Sequence, residues 1–564
     1  MADSDSPAEA HPSEGGLVPP KPAGEGGPVP PKPTGEGGPP RLARSAGVFG
    51  LATITSRILG LAREQIMAYY FGASDANDAF RVASRIPNLV RDLFAEGAMS
   101  AAFIPTFTRT LTLKGRERAW HLANSVITAL IIVTGVIVVL GIIFAEPLVR
   151  LYAASFSEVP GKIELTIYLA RIVLPFLTLV AVAAVLMGML NSLGHFFVPA
   201  LSPAMFNVAG IVMALTLIPF ASTLGVQPIT IVAIATLVGG LGQLAIQWPP
   251  LREEGFHYRP ELDARDEDLR RALLLMGPGT IGMAATQINV FVNTQLATGQ
   301  GTGAVSWLDF AFRLMYLPIG LFGVSIATAA TPAISRMVAE QNFERIRSTL
   351  ANALGLMFFL NLPATIGLIV LARPIIAVIF EHGEFTPADT VATAAALQFY
   401  ALGLLGYSVV RIISPTFYAL GRSRIPVMVS AASVIVNIAL NVTLVRYMGY
   451  RGLALGTSMT AIVNALVQLY LLRREIHGIG GSIIAASFAR VVVAAAVMGV
   501  VTWSAQRWMT DLVPGDSLFH QMIRLLVTIL ASLGTLAAVA QVLGIREFGE
   551  ARDLIIGKLK RMAG

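Results

Sequence analysis

Fourteen stretches of the chain are each about 20 or more residues long and predominantly apolar, the length that a helix needs to cross a bilayer. Of the 564 residues, 55% are hydrophobic and 13% are charged, about half the charged share of a soluble domain. Soluble cores cannot absorb so much apolar surface, so the sequence predicts an all-α polytopic membrane protein. The predicted membrane helices span approximately 46–71, 78–106, 119–145, 165–190, 197–219, 229–250, 272–298, 304–331, 350–372, 391–419, 425–445, 452–472, 484–504 and 522–544.

Basic residues are unequally distributed between the two sides of the predicted membrane. An even number of helices places both chain ends on one side, where the connecting segments hold 25 Lys and Arg against about 6 on the other. Cytoplasmic loops carry such an excess, so we expect cytoplasmic N- and C-termini. The net charge of +7 then reports topology, and no nucleic-acid partner is expected.

Several chemical functions find no support in the residues. The chain has no Cys, and its seven His are scattered without metal-ligand spacing. It also has no phosphate-binding GxxxxGK[ST] loop and no Ser-His-Asp or HExxH set. We therefore expect neither an enzyme nor a cofactor or metal site. The first apolar run begins too far from the N-terminus for a cleavable signal peptide, so helix 1 should serve as the targeting signal.

The N-terminal segment 1–40 is rich in Pro, Gly and Glu. Its unit VPPKPAGEGGP (18–28) recurs as VPPKPTGEGGP (29–39). This composition cannot build a core, so a disordered cytoplasmic tail is predicted. Its PxxP content also allows a recognition motif, although a plain tether is the simpler interpretation.

A longer repeat divides the membrane region. DAFRVASRIP begins at Asp78 and DFAFRLMYLP begins at Asp309, 231 residues later, and LGHFFVP and LGRSRIP are separated by 227 residues. The similar offsets indicate a duplicated six-helix unit, which places both copies in one orientation about a pseudo-two-fold axis along the membrane normal. The predicted parts are the tail 1–40, an N-lobe 41–251, a charged cytoplasmic connector 252–271, a C-lobe 272–475, and helices 13 and 14 with a basic cytoplasmic C-terminus, 476–564.

Charged residues lie inside helices 1, 2 and 8. At 100° per residue, Arg57 and Glu64 share a face of helix 1, Arg63 lies about 100° around from them, and Arg91 falls to one side on helix 2. Helix 8 adds Arg313. One polar stripe on helix 2 contains Asp78, Arg81, Arg85, Asp92 and Glu96.

Placing such charges against lipid is unfavourable, because each costs about 2.5–3.5 kcal/mol or more at the bilayer centre. We predict a wet cavity lined by helices 1, 2, 7 and 8. Its deeper part is net positive and almost free of Lys, so it suits an anion held by planar guanidinium groups. The alternative is mutual pairing, such as Arg85 with Asp92 or Asp78 with Arg81. Helix 7 would contribute the amides of Gln287, Asn289, Asn293 and Gln295.

Several phrases resemble the MurJ/MviN family. They are SRILGLARE (56–64), the DAF of NDAFRVASRIPNLVRDLFAEGAMSAAFIP (77–105), MGPGTIGMAATQIN (276–289) and SWLDFAFRLMYLPIGLFGVSIATAATPAISR (306–336). The family comprises bacterial lipid II flippases of the multidrug/oligosaccharidyl-lipid/polysaccharide exporter superfamily. The resemblance runs from about residue 41 to 550.

The resemblance implies a multi-pass protein of the bacterial inner membrane. Its expected activity is to move lipid II, the undecaprenyl-diphosphate-linked muropeptide of peptidoglycan synthesis, to the periplasmic leaflet by alternating access. Helices 13 and 14 would take the lipid tail. Arg63, Arg91 and Arg313 would clamp the diphosphate. The full set of candidate substrate-binding residues is Arg57, Arg63, Arg91, Arg313, Asp78 and Glu96.

Two positions depart from the family pattern. Phe312 stands where some members carry an acid, and Asn293 stands where some carry an acid of a sodium site. The family's sodium site is therefore incomplete in this sequence, and the membrane potential or a proton gradient remains a candidate driving force. Alternative functions are export of another lipid-linked oligosaccharide, such as an O-antigen precursor, export of small molecules, or a non-transporting scaffold whose tail recruits partners.

Overall fold

Helices are the only regular secondary structure in the part of the chain that the computed structural model describes, residues 39–93, 103–263, 265–549 and 552. Side chains are described from residue 55 onward, apart from 272–273, 275–283 and 483 within those ranges. The chain divides into two units, Met1–Val48 and Phe49–Gly564, and every contact given below lies within the second. Glu96 and most of the predicted tail lie outside the described residues.

Nineteen α-helices follow one another among the described residues, and proline or glycine residues interrupt several of the predicted spans. The first eight are α1 Pro39–Phe71, α2 Asp75–Arg91, α3 Ile104–Ile143, α4 Ala145–Ala153, α5 Lys162–Val173, α6 Phe176–Ser192, α7 Phe197–Leu217 and α8 Pro228–Glu253. The others are α9 Glu267–Thr298, α10 Ala304–Pro318, α11 Val324–Ala339, α12 Phe343–Val370, α13 Ala372–Phe380, α14 Pro387–Leu402, α15 Leu404–Ala419, α16 Arg424–Met448, α17 Tyr450–Glu475, α18 Gly481–Leu512 and α19 Leu518–Val542.

Eleven helices in the described part of the chain are long and apolar enough to cross a membrane. The predicted helices at 46–71, 78–106 and 272–298 are not among these eleven, and some side chains of all three are outside the described set. The prediction of an all-α, multi-spanning architecture is confirmed. The count of fourteen membrane helices stays a prediction.

The observed bounds differ from the predicted ones at backbone breaks. Span 304–331 contains a π-helical turn, Ile319–Gly323, directly after Pro318. Proline lacks an N–H and clashes with the preceding turn, which is a usual cause of such irregularity. α3 contains a break at Gly115, where φ is +83°, so the helix begun at Ile104 ends there. The short helices α4 and α13 were missed because nine residues cannot span a bilayer.

The helices pack in two groups, as the internal repeat predicts. Helices α2 to α8 pack mainly with one another, and α10 to α17 form the second group together with α9, which packs on α16 of this group and also on α3 and α4 of the first. We call these groups the N-lobe and the C-lobe, and α1 with its cavity-facing residues is counted with the N-lobe. Helices α18 and α19 pack on each other and on α12, around Phe359, Val491 and Met498. The predicted division into two lobes with two added C-terminal helices, and the bounds given for them, stay a prediction.

Small residues allow several of these close helix contacts. A Cβ at Gly188 would lie 3.1 Å from Ile104 Cγ1, and one at Gly323 would lie 3.3 Å from Ser408 Oγ. Both values are tighter than ordinary van der Waals contact. At these two positions the glycine serves close packing, which is how membrane helices approach one another.

The connector between the lobes is held to the N-lobe by ion pairs. Asp266 caps α9, accepting hydrogen bonds from the N–H groups of Asp268 (2.8 Å) and Leu269 (3.3 Å). The same carboxylate lies 2.9 Å from Arg118 of α3. Charge on the connector therefore ties the start of the C-lobe to the N-lobe.

Candidate functional site: an arginine-rich cavity

A cavity of about 590 Å³ lies among α1, α2, α5 to α8 and α10. Its lining includes five arginines and three acids, a net charge of +2 among the described lining residues. The cavity belongs mainly to the N-lobe, and the C-lobe contributes through α10. The charged lining residues are Arg63, Glu64, Arg81, Arg85, Arg91, Asp92, Asp309 and Arg313.

Glu64 is surrounded by three guanidinium groups. Arg63 Nη2 lies 2.8 Å from Glu64 Oε1, Arg81 Nη2 lies 3.0 Å from Oε2, and Arg313 Nη1 lies 3.3 Å from Oε1. Arg63 also stacks 4.6 Å above the ring of Phe206, and its Nε has no hydrogen-bond partner. One buried acid thus holds arginines from three helices without matching their charge.

Asp309 on α10 is also surrounded by three guanidinium groups. It pairs with Arg81, with Arg85 at 2.8 Å and with Arg313 at 3.3 Å. Arg81 is buried and links Glu64 to Asp309, so it ties the N-lobe to the C-lobe. Because each of these acids serves three arginines, one-to-one pairing does not describe this cluster.

The two ion pairs offered by the sequence as alternatives are wrong. Arg85 pairs with Asp309 rather than with Asp92, and Asp92 Oδ1 accepts from Arg91 Nε (2.9 Å) and Nη2 (2.7 Å). Arg91 therefore lies beside the stripe residues at the cavity. α2 ends at Arg91 and continues as a π-helical turn, which changes the angular spacing that a regular helical wheel assumes.

Asp78, the other predicted site residue of helix 2, lies away from the cavity lining. α10 begins after Gly303, which has φ of +89° and no side chain to cap the helix. Asp78 supplies the missing cap from the other lobe: its carboxylate accepts from Gly303 N (2.7 Å), Ser306 N (3.0 Å) and Ser306 Oγ (2.7 Å). A carboxylate satisfies the free N–H groups and opposes the positive end of the helix dipole.

Lys162, the first residue of α5, pairs with Asp78 at this contact. It was not identified as a functional residue from the sequence. Its Nζ lies 3.1 Å from Asp78 and 2.7 Å from Asp75, and it sits 4.1 Å above the ring of Phe156. The side chain is only 2% exposed. The sequence offers only a weak signal, which is that the chain has just six lysines and this one lies beside a predicted membrane helix.

Further contacts join the lobes at the same end. Asp75 Oδ1 accepts from Thr302 Oγ1 (2.7 Å), and the N–H of Glu384 donates to the carbonyl of Tyr69 (2.9 Å). Gly72 has φ of +54°, and a Cβ there would collide with the carbonyl of Glu384. We call the contacts of residues 69–78 with 302–306 and Glu384 the inter-lobe latch, and Lys162 supports it from within the N-lobe through Asp75 and Asp78.

Removing the charge of Asp78 should weaken the latch. In Asp78→Asn we expect the free energy of unfolding to fall by about 3 kcal/mol, because Lys162 loses one of its two acids while it stays buried. Chemical unfolding of the purified protein in detergent measures this change. Asp511→Asn, at an exposed position of α18, is the matched control. Equal stability of the two variants would show that the latch contributes nothing.

Arg57 and the helix 7 amides are the remaining predicted residues, and the structure places them outside the cavity lining. Arg57 does not line the cavity; its guanidinium lies on Gly320, where a Cβ would collide with it. Among the helix 7 amides, Gln287 donates to Asp92 Oδ2 (3.3 Å). Asn293 exchanges hydrogen bonds with Asn437 (3.2 Å) and Asn441 (2.6 Å) inside the C-lobe. The described residues of α9 are not part of the cavity lining, contrary to the prediction for helix 7. Gln295 instead donates to the carbonyl of Leu151 on α4 (3.4 Å), so α9 also contacts the N-lobe outside the cavity.

Known proteins resemble the chain over most of its length. A family model described as lipid II flippase MurJ matches residues 67–523. A probable lipid II flippase MurJ of Bdellovibrio bacteriovorus is 33% identical over 514 residues, covering 91% of this chain and 97% of the relative. That of Vibrio cholerae is 32% identical over 478 residues, covering 84% and 90%.

A solved structure agrees with the sequence relatives. It is described as lipid II flippase MurJ in an inward closed conformation, and it superposes with a TM-score of 0.71 at 28% identity. The match covers 88% of this chain and 99% of that one. The family resemblance drawn from the sequence is confirmed, and the chain belongs to the lipid II flippase MurJ family.

Proposed function

We propose that the protein is a multi-pass inner-membrane flippase that moves lipid II from the cytoplasmic to the periplasmic leaflet. The observation that carries the proposal is the cavity with five arginines and three acids inside a membrane protein. A net positive cavity is costly there unless an anion is to enter it. Guanidinium groups bind phosphate oxygens in bidentate fashion, so the diphosphate of lipid II is the group we assign to Arg63, Arg91 and Arg313.

Alternating access is part of the proposal. The latch supports it, because its contacts fasten the lobes together at the end where α1 stops and α2 begins. The predicted topology puts that end at the periplasmic side. A protein latched there would load its substrate from the cytoplasmic side, and breaking the latch would then release the substrate to the other leaflet.

The driving force follows from the charge of the substrate. Because the membrane potential is negative inside, an anionic diphosphate that moves outward is driven by it, by about 2.3 kcal/mol per charge and 100 mV. The amides at Asn293, Asn437 and Asn441 bond to one another and carry no charge to hold a cation. We therefore favour the membrane potential over a sodium gradient.

The acyl chain needs a separate path, which we assign to α18 and α19. Apolar side chains on these helices are exposed, among them Val500, Trp503 and Leu530. A long apolar tail can stay in contact with such a surface while the charged headgroup crosses inside.

Two other transporter functions remain as alternatives. A drug exporter selecting cations would need an acidic cavity, and the net charge of +2 disfavours it. A flippase for a different lipid-linked oligosaccharide would share the diphosphate, so charge does not separate it from a lipid II flippase. Membership of the MurJ family favours lipid II.

Complementation tests the proposal directly. The chain, expressed in cells depleted of their own lipid II flippase, is expected to restore growth and the arrival of lipid II at the outer leaflet. Cells depleted of an O-antigen flippase serve as the second arm and should stay uncorrected. Rescue of the second strain alone would refute the assignment of lipid II.

Deleting residues 1–38 separates a flippase from a scaffold. The cavity and the latch lie entirely after this segment, so we expect the truncated chain to support growth of the depleted cells at the full rate. Membrane levels of both proteins, measured by immunoblot, control for expression. A scaffold that recruits partners through the tail would instead lose function with normal membrane levels.

A further inference from the structure

The cavity has a second wall that carries no charge. It is formed by hydroxyl and amide side chains of α1, α2, α7 and α8, all within the N-lobe. None of these residues was singled out by the charge pattern, because they are neutral and scattered along the chain. They are Ser56, Ser84, Asn88, Asn207, Gln243 and Gln247.

The hydrogen-bonding capacity of this neutral wall is only partly used. Gln247 is 1% exposed; its Nε2 donates to Ser202 Oγ and to the carbonyl of Gln243, both at 2.9 Å, while its Oε1 has no partner. Gln243 is 9% exposed, and within the described residues its side-chain amide makes no hydrogen bond. An unsatisfied buried polar group costs about 1–3 kcal/mol, so such groups call for a partner.

Other atoms of the wall are free in the same way. Asn207 donates Nδ2 to the carbonyl of Ser56 (3.2 Å) and leaves its Oδ1 unused. Ser84 Oγ and Asn88 Oδ1 are buried without partners. Ser84, Asn88 and Arg91 follow at spacings of four and three residues on α2, so the neutral wall and the arginines share one helix face.

Aromatic rings lie between these polar groups. Phe176 and Phe206 are in contact, with ring centroids 5.5 Å apart, and Arg63 lies on the ring of Phe206 at 4.6 Å. Phe80 lines the cavity one turn before Ser84. The wall thus offers flat apolar faces beside neutral donors and acceptors, with guanidinium groups at its border.

We propose that this N-lobe wall is a saccharide subsite, which takes the hydroxyl and acetamido groups of the sugar joined to the diphosphate. The inference rests on the proposed function and adds the group that its cavity recognises. A sugar ring has hydroxyl edges and apolar C–H faces, and it matches both components of the wall. The volume of about 590 Å³ lies within the usual range for small-molecule sites.

Other parts of a lipid-linked muropeptide fit the wall less well. An acyl chain would leave the amides of Gln243 and Gln247 unpaired, which is unfavourable away from water. The carboxylates of a peptide would select guanidinium groups over neutral amides. The neutral wall therefore favours the sugar, and the arginines favour the anionic group beside it.

Binding of two ligands that differ only in the sugar tests this subsite. The purified full-length protein is titrated with an undecaprenyl-diphosphate-linked N-acetyl sugar that carries no peptide, and with undecaprenyl diphosphate, which has the anion and the tail but no saccharide. The wild type should bind the sugar-bearing lipid about tenfold more tightly, which corresponds to one or two net hydrogen bonds. Gln243→Leu and Asn207→Leu should each remove most of this preference while binding undecaprenyl diphosphate as the wild type does.

The controls separate the subsite from the fold and from the proposed function. Gln398→Leu replaces an amide on α14 that bonds to the carbonyl of Ile369 outside the cavity, and it should keep the wild-type preference. Thermal unfolding in detergent verifies that each variant is folded, and the two leucine variants lie on different helices. If the wild type binds both ligands equally, or if the variants lose both ligands equally, the saccharide subsite is refuted and the proposed function is unaffected. A wild type that binds neither ligand overturns the proposed function with it.

Discussion

Alanine at Arg63, Arg91 or Arg313 is expected to abolish growth support in cells depleted of their own flippase, while each variant still inserts and folds. Each guanidinium lines the cavity, and each is one of the groups assigned to the diphosphate. Losing one charge-assisted, bidentate contact to the diphosphate removes binding energy that no neighbouring group replaces. Growth of the depleted strain and lipid II flipping by the reconstituted protein are the measurements.

The pairing pattern explains why these variants should fold. Without Arg63, Glu64 keeps Arg81 and Arg313 as partners. Without Arg91, Asp92 still accepts from Gln287. Each carboxylate thus retains a partner, so little of the loss should come from an uncompensated buried acid.

Two further substitutions serve as controls. Arg81→Ala should lower the unfolding temperature as well as the activity, unlike the three variants above. The reason is that Arg81 is buried between Glu64 and Asp309 and pairs with both. Arg446→Ala, at an exposed position of α16, should grow normally. Full growth with all three cavity variants would refute the role assigned to the arginines.

Joining the lobes at the latch is expected to stop transport completely and reversibly. In Asp75→Cys/Thr302→Cys the two side chains replaced are in contact at 2.7 Å and belong to different lobes. The natural chain has no Cys, so the engineered pair is the only one that can react. Oxidation, or a short thiol-specific bridge, should hold the latch shut and abolish flipping of lipid II in proteoliposomes. Reduction of the disulfide should restore it.

A matched pair within one lobe controls for the chemistry. Thr108 and Ser192 are in contact at 3.0 Å, and both belong to the N-lobe. Thr108→Cys/Ser192→Cys, cross-linked to the same extent, should flip lipid II as before, because the N-lobe moves as a unit in the proposed cycle. If the cross-linked latch variant transports at the uncross-linked rate, alternating access through this latch is excluded.

Much of the fold follows from the apolar runs. A helix inside a bilayer must satisfy its own backbone, so about 20 apolar residues and a loop imply one spanning segment whatever the neighbours are. The positions at which a helix is interrupted were less predictable. Pro318 and Gly115 mark irregular backbone in the structure, yet Pro87 lies inside a helix that continues through it, because neighbouring contacts decide the outcome.

The cationic character of the site also follows from the sequence, because six arginines placed in membrane helices need a wet or paired environment wherever they meet. The ion-pair partners of those arginines do not follow from the sequence. Periodicity gives the face of a helix on which a side chain lies, but it says nothing about which helix faces it. Arg81 and Asp309 are 228 residues apart, and only the packing of the two lobes brings them together.

Apolar length and the cost of charge in lipid are local properties of a chain, so the order of residues was enough to predict an all-helical membrane protein with an excess of buried guanidinium groups. The tertiary structure alone decided that Asp78 caps a helix of the other lobe, that Lys162 joins it, and that the cavity lies mainly within the N-lobe. Those outcomes depend on contacts between helices far apart in the chain, and such contacts leave no periodic trace in either helix.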